Sequence, residues 1–185
     1  MLKNFLIIFI TTILLFSKSI FADNKIPLET VTYVSLNKYL GHWYEIAKFP
    51  NNFEKKCQYN TTAHYSLIDG ENIKVVNKCY AKNSKGVEKI YKSKGTAWVV
   101  DKTSNSKLKV SFVPFLNRFH ILGGDYWIIE LNSDYYYSVV SSADRKYLWI
   151  LSRTPVLAQD IYDAILLKIK EKGFDITKLE KVIQK

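Results

Sequence analysis

Histidine and cysteine are scarce in this chain, three and two respectively among 185 residues. His42, His64 and His120 stand at no spacing typical of metal ligands, so no metal centre is expected. There is no G-x-S-x-G nucleophile turn and no phosphate-cradling glycine loop, and nothing in the sequence asks for a cofactor. No apolar run reaches the ~20 residues needed to cross a bilayer as a helix. Repeats, low-complexity tracts and long linkers are absent too, so a single domain is expected. Acidic residues are outnumbered 17 to 27 by Lys and Arg, giving a net charge of +10. The lysines are scattered along the chain, which reads as a solvated surface. Peripheral contact with an anionic membrane is the other reading.

The longest apolar stretch lies at the start. Lys3 precedes a run from Phe5 to Phe16, and Ser17-Lys18-Ser19 and Phe21-Ala22 follow. A charged segment, a short apolar core and a small residue before Asp23 read as a secretory signal over 1–22, cleaved after Ala22. Lys3 and Lys18 belong to that segment, leaving +8 on residues 23–185. The expectation is an exported protein, periplasmic or secreted. No cysteine stands at the cleavage point to take a lipid, so association with an outer membrane would need no covalent anchor.

In an oxidising compartment Cys57 and Cys79 suggest one disulfide. Asp69-Gly70 is a strong hairpin signal, and a two-residue turn there would set Cys79 opposite Asn60. Cys57 is then three residues too far along, at ~3.3 Å each. A bulge, or a strand that begins only after Cys57, would bring the two together; regular strands would leave both thiols free.

From His42 to Arg153 apolar and aromatic β-formers alternate with polar residues. Strands are expected near 42–49, 58–68, 72–81, 88–100, 107–113, 125–132, 134–141 and 146–153. The tail changes period. Leu157, Ile161, Ala164, Ile165 and Ile169 make one apolar face of a helix over Gln159 to Lys172, which Gly173 can cap. Leu179 to Ile183 could add a short edge strand. The fold class is therefore all-β, an eight-stranded antiparallel barrel or sandwich with one C-terminal helix packed outside. Trp127-Ile128-Ile129 and Leu148-Trp149-Ile150-Leu151 are apolar on both faces, so one face needs the helix and the other an apolar interior. An eight-stranded barrel has room for side chains or one small ligand. A basic, aromatic-rich barrel also suits single-stranded nucleic acid. Export and the strand count argue against that, and no nucleic-acid partner is expected.

The segment Asn37-Lys38-Tyr39-Leu40-Gly41-His42-Trp43-Tyr44-Glu45-Ile46 resembles the first signature of the lipocalin family, G-x-W-Y. Far downstream, Tyr147 to Pro155 resembles the stretch that carries the family's arginine, here Arg153. Between them Asn52-Phe53-Glu54, Tyr65-Ser66-Leu67, Lys94-Gly95-Thr96-Ala97 and Leu108 to Phe112 look like the bacterial outer-membrane lipoprotein branch and vertebrate apolipoprotein D. The similarity covers roughly 35–178. Asn132-Ser133-Asp134-Tyr135 stands where the middle signature is usually T-D-Y.

The resemblance implies an up-and-down lipocalin barrel over 23–185, with Gly41, Trp43, Tyr44 and Arg153 as structural residues. Arg153 would lie across Trp43 at the closed end, a cation–π contact. It implies a carrier, not an enzyme, for fatty acid or lysophospholipid, serving the cell envelope. Tyr65, Phe112 and Trp149 would line the cavity, with Tyr137 and Trp98 as further candidates. Trp149, Leu151 and Arg153 share a face by alternation. Two alternatives stay open: a lipocalin-fold enzyme using a free cysteine, and a carrier of another small hydrophobic ligand. Whether two barrels pair as a homodimer is also open.

Overall fold

A computed structural model describes residues 27–69, 72–113 and 122–185. The signal expected over 1–22, Gly70 of the first hairpin turn and His120 lie outside these residues. Eight strands close into a barrel: β1 (Gly41–Lys48), β2 (Tyr59–Asp69), β3 (Asn72–Lys82), β4 (Glu88–Val99), β5 (Lys107–Ser111), β6 (Gly124–Leu131), β7 (Tyr137–Ser141) and β8 (Leu148–Ser152). Each pairs antiparallel with the next, and β1 closes the ring by pairing with both β8 and β2. Helix α1 (Leu36–Tyr39) precedes β1, and α2 (Gln159–Glu171) follows β8. A 3-10 turn (Ile176–Lys178) leads into β9 (Glu180–Lys181), which pairs with Ala47 and Lys48 where β1 leaves β2.

Two apolar clusters explain the strands that are apolar on both faces. Inside the barrel, Trp43, Tyr65, Val75, Ala97, Leu108, Ile128, Val140 and Leu151 pack together. Outside it, Ile129, Val139, Leu148 and Ile150 lie against Tyr162, Ile165 and Ile169 of α2. The 3.6-residue period puts those three on one side of the helix. In β6, ordinary alternation gives Ile128 to the inner cluster and Ile129 to the outer one. The register shift between Ile128 and Glu130 then turns Glu130 outward to Lys168 and Lys172 and returns Leu131 to the inside.

The strand ends differ from expectation where turns intervene. Residues 134–136 form a turn rather than the start of β7: Asn132 Oδ1 accepts from the backbone N–H groups of Asp134 and Tyr136, and Tyr135 has φ +61°. The four-residue α1 is too short for a periodicity signal, and sequence reading missed it.

Cys57 and Cys79 are disulfide-bonded, with Cα atoms 5.5 Å apart. Both devices that could relieve the register problem are present. β2 begins only at Tyr59, and its register on β3 shifts between Tyr59 and Thr62, where Asn60 has φ +52°. This bulge bends the chain so that Cys57, already off the ladder, reaches Cys79. The bond spans a sequence separation of 22 residues. Loop-closure entropy gives such a cross-link about 3 kcal/mol. Cys57→Ala/Cys79→Ala should therefore unfold in denaturant with a stability lower by about that amount, and the native protein should titrate no free thiol. A loss below ~1 kcal/mol would show that β2 and β3 hold this end of the barrel without it.

Candidate ligand-binding site

One end of the barrel is sealed by α1 and the start of β1. Trp43 is fully buried, and its indole Nε1 donates to the Tyr39 carbonyl at 2.8 Å. The Arg153 guanidinium lies 3.8 Å from the centre of the Trp43 ring. Its N–H groups donate to the carbonyls of His42 (2.7 Å), Lys38 (2.7 Å) and Tyr39 (3.2 Å). Carbonyls at a helix end lack partners within the helix, and a planar fork of donors satisfies several together. Gly41 sits at φ +97°, in the left-handed region, with Arg153 Nη1 3.5 Å from where a Cβ would stand. Only glycine makes that entry into β1 without strain. Tyr44 faces outward, edge-on to His42 at 4.7 Å.

Above this floor lies an apolar cavity lined by Leu36, Leu40, Tyr65, Val75, Leu108 and Tyr126, among others, with about 20 Å³ of free space. That is room for about one water, far below the ~300 Å³ or more of a typical ligand cavity. Three phenols meet at its edge. Tyr126 Oη is 2.9 Å from both Tyr39 Oη and Tyr65 Oη, and Tyr39 Oη is 3.0 Å from Ser138 Oγ. Burial pushes the Tyr39 phenol up to about 12 and raises those of Tyr65 and Tyr126 as well. All three stay neutral, giving an apolar wall with hydroxyls that both donate and accept.

Toward the other end the interior becomes charged. The loop after β1 turns Glu54 inward, where Oε1 accepts from Trp149 Nε1 at 3.1 Å and Oε2 pairs with Lys48 Nζ at 3.2 Å. Glu45, only 5% exposed, lies beside Glu54, and its Oε1 is buried without a hydrogen-bond partner. Burial first, and the neighbouring Glu54 charge second, push the Glu45 carboxyl well above its ordinary range. Keeping its proton spares Glu45 the cost of a second buried negative charge beside Glu54.

Of the five cavity residues expected from sequence, the structure brings two to the interior and a third, Phe112, to its exposed rim. Tyr65 lines the cavity. Trp149 lies nearer the open end, half-buried, and is partly packed against the inner cluster. Phe112 follows β5 and is 41% exposed, its ring covering Gly95, where a Cβ would come within 2.8 Å of Phe112 Cδ1. The other two point elsewhere. Tyr137 belongs to the outer cluster beneath α2, because Ser138 and Val140 take the inward positions of β7. Trp98 is also on the outer surface: Ala97 and Val99 face inward, and the Trp98 ring packs under the backbone of Gly123. Sequence reading missed Tyr39, Tyr126, Glu45 and Glu54. For Tyr126 a signal existed in its two-residue spacing from Ile128; for Glu54, a loop residue, there was none.

The lipocalin-like domain family matches residues 34–184. The chain belongs to the lipocalin family. It is 36% identical over 163 residues to temperature-induced lipocalin-1 of Arabidopsis thaliana, covering 86% of this chain and 84% of that one. With the outer membrane lipoprotein Blc of Citrobacter freundii it shares 38% identity over 157 residues, 83% of this chain and 82% of the other. Among solved structures, the allergen Per a 4 from cockroaches superposes with a TM-score of 0.64 at 21% identity, covering 85% of this lipocalin and 93% of the allergen. That likeness concerns the fold alone.

Truncating Trp43 to Ala should cost about 3–5 kcal/mol, as expected for a large buried aromatic, read as a fall in denaturation midpoint. A loss under ~1 kcal/mol would mean that Trp43 does not hold the floor closed. For Glu45, a raised folded-state pKa gives stability that is complete below the unfolded value of 4.5 and lost as pH climbs through the folded one. Glu45→Gln should therefore flatten the decline in melting temperature from mildly acidic to alkaline pH and raise it at the alkaline end. An unchanged profile would show that Glu45 titrates normally.

Proposed function

We propose that this lipocalin carries a single-chain lipid, a fatty acid or lysophospholipid, in the barrel interior. Membership of the family and the apolar interior support binding of a small hydrophobic ligand. The observation that carries the finer reading is the gradient along the barrel axis. The closed end is apolar and edged by neutral hydroxyls, and the opposite end carries Glu54, Lys48 and the Trp149 indole. An amphiphile matches that gradient with its tail toward the floor and its head toward the mouth. Tyr65, Phe112 and Trp149 are the proposed contacts. The free space of about 20 Å³ means that loading must displace wall side chains. The thiol that a cysteine-based lipocalin enzyme would need is tied up, since both cysteines are bonded. We further propose export, with the signal at 1–22 and a role in maintaining the cell envelope; a disulfide suits an oxidising compartment.

The test is native mass spectrometry of protein from its own host, with lipid extraction, alongside titration of the delipidated protein with oleate and oleoyl lysophosphatidylcholine. Co-purified single-chain lipid and saturable quenching or shift of tryptophan fluorescence at micromolar ligand are expected. Only polar metabolites in the extract, with no response to either lipid, would overturn the carrier reading.

A further inference from the structure

Five of the lysines that look scattered in the sequence gather on one outer surface of the barrel. Strand alternation puts Lys74, Lys78 and Lys82 of β3 on the same face, away from the inward-facing Val75, and hairpin register sets Lys78 directly opposite Lys92. Lys94 follows on that face, paired with Val76. Like charges directly opposite one another destabilise a sheet. Several lysines elsewhere have acidic partners: Lys109 with Asp125, Lys168 and Lys172 with Glu130, Lys178 with Asp175. Among the described residues no carboxylate pairs with Lys74, Lys78, Lys82, Lys92 or Lys94. The one acid on this face, Glu88, accepts a hydrogen bond from Tyr59 at 2.7 Å.

The hairpin that carries this face ends in a tight tip at the open end of the barrel that exposes Val87. Asn83 Oδ1 accepts from the N–H groups of Lys85 and Val87 at 2.9 and 3.0 Å, and Gly86 turns the chain at φ +75°. This braced turn holds Val87 59% exposed, and Ile90, three residues on, is 52% exposed. Lys82, Lys85, Lys89 and Lys92 surround the two apolar side chains in sequence and are themselves exposed. Apolar side chains ringed by lysines can enter the headgroup layer while the ammonium groups meet lipid phosphates. A polyanion such as nucleic acid would use the lysines but leave Val87 and Ile90 without purpose.

We propose that the outer face of β3–β4 and its 83–87 tip dock this lipocalin on an anionic phospholipid bilayer. Charge complementarity draws the lysine face to the surface, and Val87 and Ile90 seat the tip. Docking there turns the open end of the barrel toward the bilayer, so ligand exchange would occur at the lipid surface.

The experiment is co-sedimentation of the chain 23–185 with vesicles of phosphatidylcholine alone and with one third phosphatidylglycerol. Binding is expected only to the anionic vesicles, and is lost near 1 M salt, where the screening length is about 3 Å. Lys78→Gln/Lys92→Gln/Lys94→Gln should lower partitioning by about 100-fold, at roughly fivefold per lysine. The control Lys102→Gln/Lys170→Gln/Lys178→Gln makes the same change in net charge away from the face and should bind like wild type. Val87→Ser/Ile90→Ser keeps every lysine and should bind more weakly while remaining salt-sensitive. Thermal melting confirms that each variant is folded. Wild type that ignores anionic vesicles, equal loss in the two lysine triples, or tighter binding to a DNA duplex than to vesicles would overturn the proposal. Unchanged binding of the tip variant would overturn the seating of Val87 and Ile90.

Discussion

The rest of the structure depends on the contact between Arg153 and Trp43. Residues 110 positions apart meet at the point where the last barrel strand returns to the first, and the guanidinium 3.8 Å from the indole binds three regions at once. Its donors reach the carbonyls that end α1 and begin β1. A closed barrel has no free edge among its eight strands, but it still needs an end that excludes water. The Arg153–Trp43 pair supplies that end. The neutral phenols of Tyr39, Tyr65 and Tyr126 follow from it, because burial keeps their protons in place.

From that floor the interior changes character with height. The lower part is apolar and nearly filled, with about 20 Å³ free. The upper part holds a buried Glu45 against Glu54, an arrangement that burial alone would disfavour. It persists because Glu45 keeps its proton and Glu54 finds Lys48 and the Trp149 indole. The Cys57–Cys79 bond secures the chain as it leaves the loop that carries Glu54 into β2.

Much of the fold was legible in the sequence because period and turn chemistry are local. The eight strands, α2 and the short β9 all lie close to their expected positions. The family resemblance pointed to Gly41, Trp43 and Arg153, and these three lie together at the sealed end of the barrel. What local reading could not settle was which face of a strand points inward. In β7 each face mixes a valine with a serine, so alternation could not tell Tyr137 from Ser138, and only the position of α2 assigns Tyr137 to the outside. Trp98 was misassigned for a related reason: large aromatics suggest an interior, yet the small Ala97 faces it. The disulfide hinged on Asn60, whose left-handed backbone no pattern of hydrophobicity reveals.

The sequence by itself determined the strand and helix content, since these rest on short-range periodicity. Tertiary structure decided the rest. It brought Glu54 over the mouth, joined three phenols from α1, β2 and β6, and left little free space at the floor. It also turned lysines spread over some twenty positions into one continuous face, by pairing β3 with β4 in a register that sets Lys78 against Lys92. The physical reason is the same in each case: register, bulges and closure are set by contacts between distant segments, which no local stretch of chain contains.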